Sequence, residues 1–289
     1  MDAAELIRLN NLQLAARVVS DRLLLGVHQS RRTGTGTEFE QYRPYFPGDD
    51  LRRVDWKLYA RSGRYLVKES ATESHLHIRM ILDLSGSMNY TEEGVSRLDY
   101  CKVLLASLAY MGYRQNDPMS LYALKDEGLE LLVKEGKNAF YRILYQLEKA
   151  RATGKGGDEQ ERFPEFQHKQ KELVILVSDL LQTGAEWVNL VKKAASPHRQ
   201  ILIFQVLGRQ ELDFDLKGFY RFKDLETGKD LELEAESIKK EFRAAFSAYL
   251  AGLEEDLRLP DVHLVRASLD TPLAGVMAEA LKTISRWNS

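Results

Sequence analysis

A chain of 289 residues, 44% hydrophobic and 29% charged, is an ordinary folding sequence, long enough for one large α/β domain with an extension or for two smaller domains. Its net charge of −2 gives no reason to expect nucleic acid or a membrane as partner of the whole molecule, and the lone Cys101 excludes an internal disulfide or a multi-cysteine metal site. No run reaches the roughly 18 apolar residues of a membrane helix. Asp2 and Glu5 stand where a signal peptide carries positive charge, so a cytoplasmic protein is expected.

Residues 2–25 read as a helix. Asp2 and Glu5 have capping-box spacing, Leu6, Leu9, Leu12, Ala16 and Val19 form a stripe for packing on the protein's own core, and Gly26 is a natural stop. From Gln29 to Ser70 the texture changes. The stretch SRRTGTGT is too polar for a regular element and lacks the preceding strand and Gly-Lys-Ser/Thr of a phosphate-cradling loop. Phe39, Tyr42, Tyr45 and Phe46 follow as aromatic anchors and Pro47-Gly48 as a turn. Asp49 or Asp50 is expected to cap a short helix that places Leu51, Val54 and Leu58 on one side. Residues 64–69 look like a strand able to join a sheet edge. From Arg31 to Lys68 there are nine Lys/Arg against five Asp/Glu. Basic residues interleaved with aromatics suit single-stranded nucleic acid, but with acids mixed in, a solvated, salt-bridged surface is the simpler reading. Asp49, Asp50 and Asp55 are open to a functional role, or to capping and pairing with Arg52, Arg53 or Arg61.

The stretch HIRMILDLSGSM, residues 77–88, organises the rest. Ile78, Met80, Ile81 and Leu82 make a buried strand that runs into Asp83, Ser85 and Ser87, a carboxylate and two hydroxyls at alternating positions. In an open α/β sheet, ligands bind outside the carboxyl ends of the strands, and hard oxygens suit Mg²⁺. The alternative is a turn in which Asp and Ser satisfy backbone groups. A helix over 97–113 follows, with Leu98, Cys101, Leu105, Leu108 and Met111 inward. Strands at 119–124 and 129–133, a helix at 137–150 and a glycine-rich loop from Arg151 to Phe163 come next. LVILV, residues 173–177, is a second buried strand ending in Ser178-Asp179. Then come a helix (184–195), a strand (200–207), a hairpin (220–225 with 229–234), a long helix (237–257), a strand (262–266) and a closing helix (272–286). Strands alternating with helices predict a mostly parallel, doubly wound α/β sheet with a hairpin insertion near 219–235. The expected division is residues 1–70, a helix and an aromatic-basic extension, and 71–289, the main domain.

Asp83 and Asp179 then share one sheet edge. Asp-Leu-Ser-Gly-Ser-Met after a buried strand resembles the metal-ion-dependent adhesion site of von Willebrand factor A domains. EFEQYRPYFPGDDLRRVDWKLYARSGRYLVKE, DLSGSM, LVSDLL and FKDLETGKDLELE together resemble the bacterial family called domain of unknown function 58, from about Arg32 to the C-terminus. Its members have a von Willebrand A-like fold and are commonly encoded beside MoxR-type AAA+ ATPases. The resemblance implies that Ser85 and Ser87 bind a divalent metal (Mg²⁺, or Mn²⁺ or Ca²⁺) directly, and that Asp83 and Asp179 hold its water ligands. The sixth position then stays open for a partner's acidic side chain. The family pattern also wants a threonine from a third loop. Here Thr153 lies before the glycines and Asp158 sits where that threonine is expected, so Thr153 shifted into place, Asp158 as a charged ligand, and a degenerate, weak site all stay open.

The expected function is a non-catalytic, metal-assisted protein-interaction module, the partner of a MoxR-type AAA+ ATPase. Two rivals stand beside it. A phosphohydrolase with Asp83 as nucleophile needs an acid two residues on, where Ser85 stands. Nucleic-acid binding through the Arg31–Lys68 stretch would show steep salt dependence. Gly-x-Ser-x-Gly of a serine hydrolase is not met, since Asp83 and Ser87 fill its glycine positions, and His75, His77, His168 and His198 lack metal or triad spacing.

Overall fold

Asp2 caps the first helix as its spacing predicts, in a computed structural model that describes residues 2–30, 41–47, 49, 51, 54–69, 76–125, 128–153, 171–181, 186–225 and 228–285. The Asp2 carboxylate accepts the Glu5 N–H at 2.7 Å, the Asp2 N–H donates back to Glu5 at 3.0 Å, and α1 (Ala3–Arg8) follows. The single helix expected over 2–25 is in fact two. Asn10 turns the chain at φ +49°, and the Asn11 side chain accepts the Leu14 N–H at 2.8 Å to start α2 (Leu12–Ser30). Asparagine tolerates the left-handed region and caps well, so an Asn pair is suited to the break. α2 then runs through Gly26 instead of stopping there. A glycine inside a helix costs about 1 kcal/mol. That is small beside the burial of Ala15, Ala16, Val19 and Leu23 in the main core.

The chain divides into two compact units, residues 27–75 and residues 1–26 with 76–289. The boundary therefore differs from the expected one at residue 70: the N-terminal stripe is buried in the main core and takes its helix there. In the smaller unit, β1 (Gln41–Pro44) pairs antiparallel with β2 (Leu66–Glu69), so the strand expected to join a sheet edge forms a two-stranded ribbon. Between them α3 (Trp56–Ser62) is capped by Asp55, whose carboxylate accepts the Lys57 and Leu58 N–H groups at 3.0 Å each. Asp49 instead accepts the Phe46 N–H at 2.9 Å, and Asp50 lies outside the described residues. Tyr59 and Tyr65 stack at 4.3 Å, with Trp56 edge-on to Tyr59 at 6.1 Å.

The larger unit holds β3 (His77–Asp83), a small ribbon of β4 (Thr91–Glu92) and β5 (Val95–Ser96), α4 (Arg97–Arg114), β6 (Met119–Lys125), β7 (Gly128–Val133), α5 (Ala139–Lys149), β8 (Glu172–Ser178), α6 (Glu186–Ala194), β9 (Arg199–Leu207), α7 (Arg209–Asp213), β10 (Phe219–Lys223), β11 (Asp230–Glu234), α8 (Ala235–Asp256), β12 (Val262–Ser268) and α9 (Leu273–Ser285). The six-stranded sheet has the order β12-β9-β8-β3-β6-β7, parallel except for the edge strand β7, while β10 and β11 form the expected hairpin. Side chains alternate across it. Met80 and Leu82 face a core with Leu104, Leu105 and Phe140, whereas Ile81 faces one with Leu176, Trp187 and Ile203. Burial on both faces is why β3 and β8 read as unbroken apolar runs. No helix among the described residues is long and apolar enough to cross a membrane.

Candidate functional site

After β3 the chain turns one way to form β6, and later crosses to β8 on the other side. That reversal falls at the carboxyl ends of β3 and β8, the usual ligand position in such sheets. Asp83, the last residue of β3, and Asp179, the first after β8, both lie there, 1% and 0% exposed.

The first loop is folded by its own acid. Asp83 accepts the Ser85 N–H at 2.8 Å through one carboxylate oxygen and the Ser178 hydroxyl at 2.6 Å through the other. A short 3₁₀ turn, Gly86–Asn89, follows, and the Ser85 and Ser87 hydroxyls meet at 3.1 Å. Burial, and secondarily the neighbouring charge of Asp179, push Asp83 up to about 6, against hydrogen bonds from Ser178 and Ser85 that favour its ionised form. The loop after β8 is held as tightly. Leu180 sits at φ +55°, a strained value for a branched side chain, between the Ser178 hydroxyl, which accepts its N–H at 2.9 Å, and Tyr249, which donates to its carbonyl. Gln205 donates to the Asp179 carbonyl at 3.1 Å. The third loop reaches the same edge through its backbone: Thr153 N–H donates to the Leu84 carbonyl at 3.2 Å, and Asn89 donates to the Ala152 carbonyl at 2.8 Å. The Thr153 side chain is exposed, and Asp158 lies outside the described residues.

Sequence reasoning missed Arg97. This first residue of α4 is 1% exposed and forms ion pairs with Asp179 through one terminal nitrogen and Glu211 through the other; the former also donates to the Ser87 carbonyl at 2.9 Å. The Tyr90 ring lies 4.8 Å from its Cζ. Burial works against the Arg97 charge, but the Asp179 and Glu211 carboxylates outweigh it and hold the guanidinium more firmly protonated than usual. Glu211 also accepts the Gly208 N–H at 2.6 Å, and Glu92 accepts the Tyr90 hydroxyl at 2.9 Å and the Gln210 N–H at 3.2 Å. A strap of residues 208–211 is thus tied to the site. The missed signal was local: a cation at the first position of a helix opposes the macrodipole and calls for an acidic partner.

The donor set fits a hard cation in part. Octahedral Mg²⁺ with ligands at about 2.1 Å places adjacent oxygens about 3 Å apart. The Ser85–Ser87 spacing matches this, and Asp83 stands directly behind. Asp179 fits less well, because Arg97 and the Leu181 N–H (3.1 Å) engage its oxygens. Among the described residues, no three His, Cys, Asp or Glu side chains gather as a metal-holding group, so an ion here would rest on hydroxyls. Cys101 is buried, its thiol pushed up by burial. His77 pairs with Glu135 at 3.2 Å, and His75 and His168 lie outside the described residues.

The sequence pattern of the family described as Protein of unknown function DUF58 matches residues 41–254. An uncharacterized protein of Mycobacterium tuberculosis is 22% identical over 260 residues, covering 86% of this chain and 80% of that protein. Among solved structures, the chain is similar to the conserved hypothetical protein BatB from Bacteroides thetaiotaomicron (14% identity, TM-score 0.46, covering 73% of this chain and 99% of that one). It is also similar to the SpRpn10 VWA domain (12% identity, TM-score 0.38, covering 70% and 94%).

Proposed function

The chain belongs to the family described as Protein of unknown function DUF58, and from that premise we propose that it is a protein-interaction module whose contact point is the carboxyl edge of β3 and β8. The observation that carries the reading is the pair of hydroxyls, Ser85 and Ser87, 3.1 Å apart in front of buried Asp83. Ser85 and Ser87 would hold a divalent ion, Mg²⁺ or Mn²⁺ or Ca²⁺, with Asp83 behind them orienting its hydration. Bound there, the ion supplies a coordination position that a partner's acidic side chain can fill. Thr153 reaches the edge by its backbone and is the remaining candidate from this loop among the described residues. The partner we propose, on the family likeness, is a MoxR-type AAA+ ATPase, met in the cytoplasm.

The hydrolase reading has less support. A carboxylate nucleophile needs a free, accessible oxygen. Asp83 is buried, and each of its oxygens accepts a hydrogen bond from the protein. For the nucleic-acid reading, Tyr59 and Tyr65 spend their ring faces on each other, which leaves fewer faces for bases.

The test is capture of the purified MoxR-type ATPase of the same genome by the full chain, in Mg²⁺ and in EDTA, with Asp83→Ala alongside. Capture in Mg²⁺ that EDTA and Asp83→Ala both abolish is the expected result. Equal capture in every arm removes the cation from the mechanism, and no capture removes this partner.

A further inference from the structure

Helix physics does not explain Arg97. At the first position of α4 the macrodipole disfavours a cation, yet the side chain is buried with the helix. Burying a guanidinium is costly unless it is paired, and its pairing is specific. Asp179 and the Ser87 carbonyl take one terminal nitrogen, and Glu211 takes the other. Nε is buried and has no hydrogen-bond partner among the described residues. These acceptors belong to the Ser85–Ser87 loop itself, to the loop after β8, or to the strap at 208–211. One positive charge is thus shared by acids at positions where a divalent ion would otherwise be the natural counter-charge.

We infer that Arg97 is the resident cation of this edge: it holds Asp179 itself, so that ion binding at Ser85 and Ser87 and the Arg97–Asp179 pair oppose one another. The inference rests on reading the edge as a cation site. Two like charges a few ångströms apart in a poorly solvated pocket repel strongly, so a divalent ion entering beside Arg97 binds weakly unless the guanidinium gives up Asp179. Glu211 offers Arg97 a second acid to retain. Occupancy is thereby passed to the strap that Glu211 anchors through the Gly208 N–H. A consequence is that the wild-type edge folds without a divalent ion.

The experiment uses the purified full chain with no partner. Mn²⁺ binding is followed by the electron paramagnetic resonance of free Mn²⁺, and thermal unfolding is compared in Mg²⁺ and in EDTA. Arg97→Met is expected to bind Mn²⁺ at least about tenfold more tightly than wild type. Its Tm should rise with Mg²⁺, while that of wild type is nearly indifferent. Adding Asp83→Ala to Arg97→Met should abolish the gain. Arg97→Lys, which keeps the charge, should bind as weakly as wild type. Glu211→Gln, at a partly exposed position, leaves Arg97 wholly to Asp179 and should weaken binding about threefold. If Arg97→Met folds only in Mg²⁺, the inference is supported outright. If it folds in neither buffer, Glu211→Gln decides, and tighter or unchanged binding there overturns the inference. Equal affinity in wild type and Arg97→Met overturns it while leaving the interaction reading intact. Binding by none of these proteins overturns the inference and removes the cation from the proposed interaction mechanism.

Discussion

The two edges of one sheet bury ions in opposite ways. At the amino edge, Glu172 opens β8 and is clasped by two arginines: Arg79 through Nε at 3.2 Å and Nη2 at 2.8 Å, and Arg199 through Nε at 2.9 Å and Nη2 at 2.8 Å. Arg79 also donates to the Tyr122 hydroxyl at 3.2 Å, and Arg199 to the Ala194 carbonyl. There one acid serves two cations, and both its oxygens are consumed by them. At the carboxyl edge one cation, Arg97, is shared by Asp179 and Glu211, while among the described residues Asp83 makes no ion pair with it and the two hydroxyls bond to each other. Buried charge by itself therefore does not mark a functional site. What sets the carboxyl edge apart is a surplus of acid beside hydroxyl lone pairs, an arrangement that still has something to gain from a ligand.

The largest expected effect is at the closed edge. Glu172→Ala removes the one carboxylate shared by buried Arg199 and partly buried Arg79 and should cost about 3–5 kcal/mol in denaturant unfolding, with no change in any Mg²⁺ dependence. If the cost falls below about 1 kcal/mol, the amino cluster is not the structural clasp described.

At the open edge the informative variable is pH. Because Asp83 is raised to about 6, chiefly by burial, the folded chain keeps a proton that the unfolded chain has already lost between the ordinary carboxylate range and that value. Stability attributable to this group therefore falls as pH rises through that window, by about 3 kcal/mol in all. Asp83→Asn should flatten the slope of unfolding free energy against pH in EDTA. An unchanged slope would mean that Asp83 is ionised at no special cost.

The smallest effect returns to the amino edge. Tyr122→Phe deletes one acceptor of Arg79 and should lower stability by about 1 kcal/mol, again without touching cation binding. Should it shift Mn²⁺ affinity, the two edges are coupled through the sheet and the comparison fails.

Much of this was legible in one dimension. Apolar runs at Met80–Leu82 and Leu173–Val177, each closed by polar residues, announced buried parallel strands with carboxylates at their ends, since a strand covered on both faces has no polar alternation to offer. The Asp2 cap and the β10–β11 hairpin were local matters and were read locally. At Asn10 the apolar stripe runs on in the sequence while a local asparagine turn breaks the helix, and at Gly26 packing of the N-terminal stripe outweighs the glycine's low helix propensity.

What the sequence by itself determined, then, is the sheet and the oxygen donors it lifts to its carboxyl edge: Asp83, Ser85, Ser87 and Asp179. Only the tertiary structure decided which charge those donors already hold. Arg97 meets Asp179 across 82 residues and Glu211 across 114, and no periodicity or spacing rule spans such distances. An ion pair is fixed by where two chain segments end up in space, and that is a property of the folded sheet rather than of either segment.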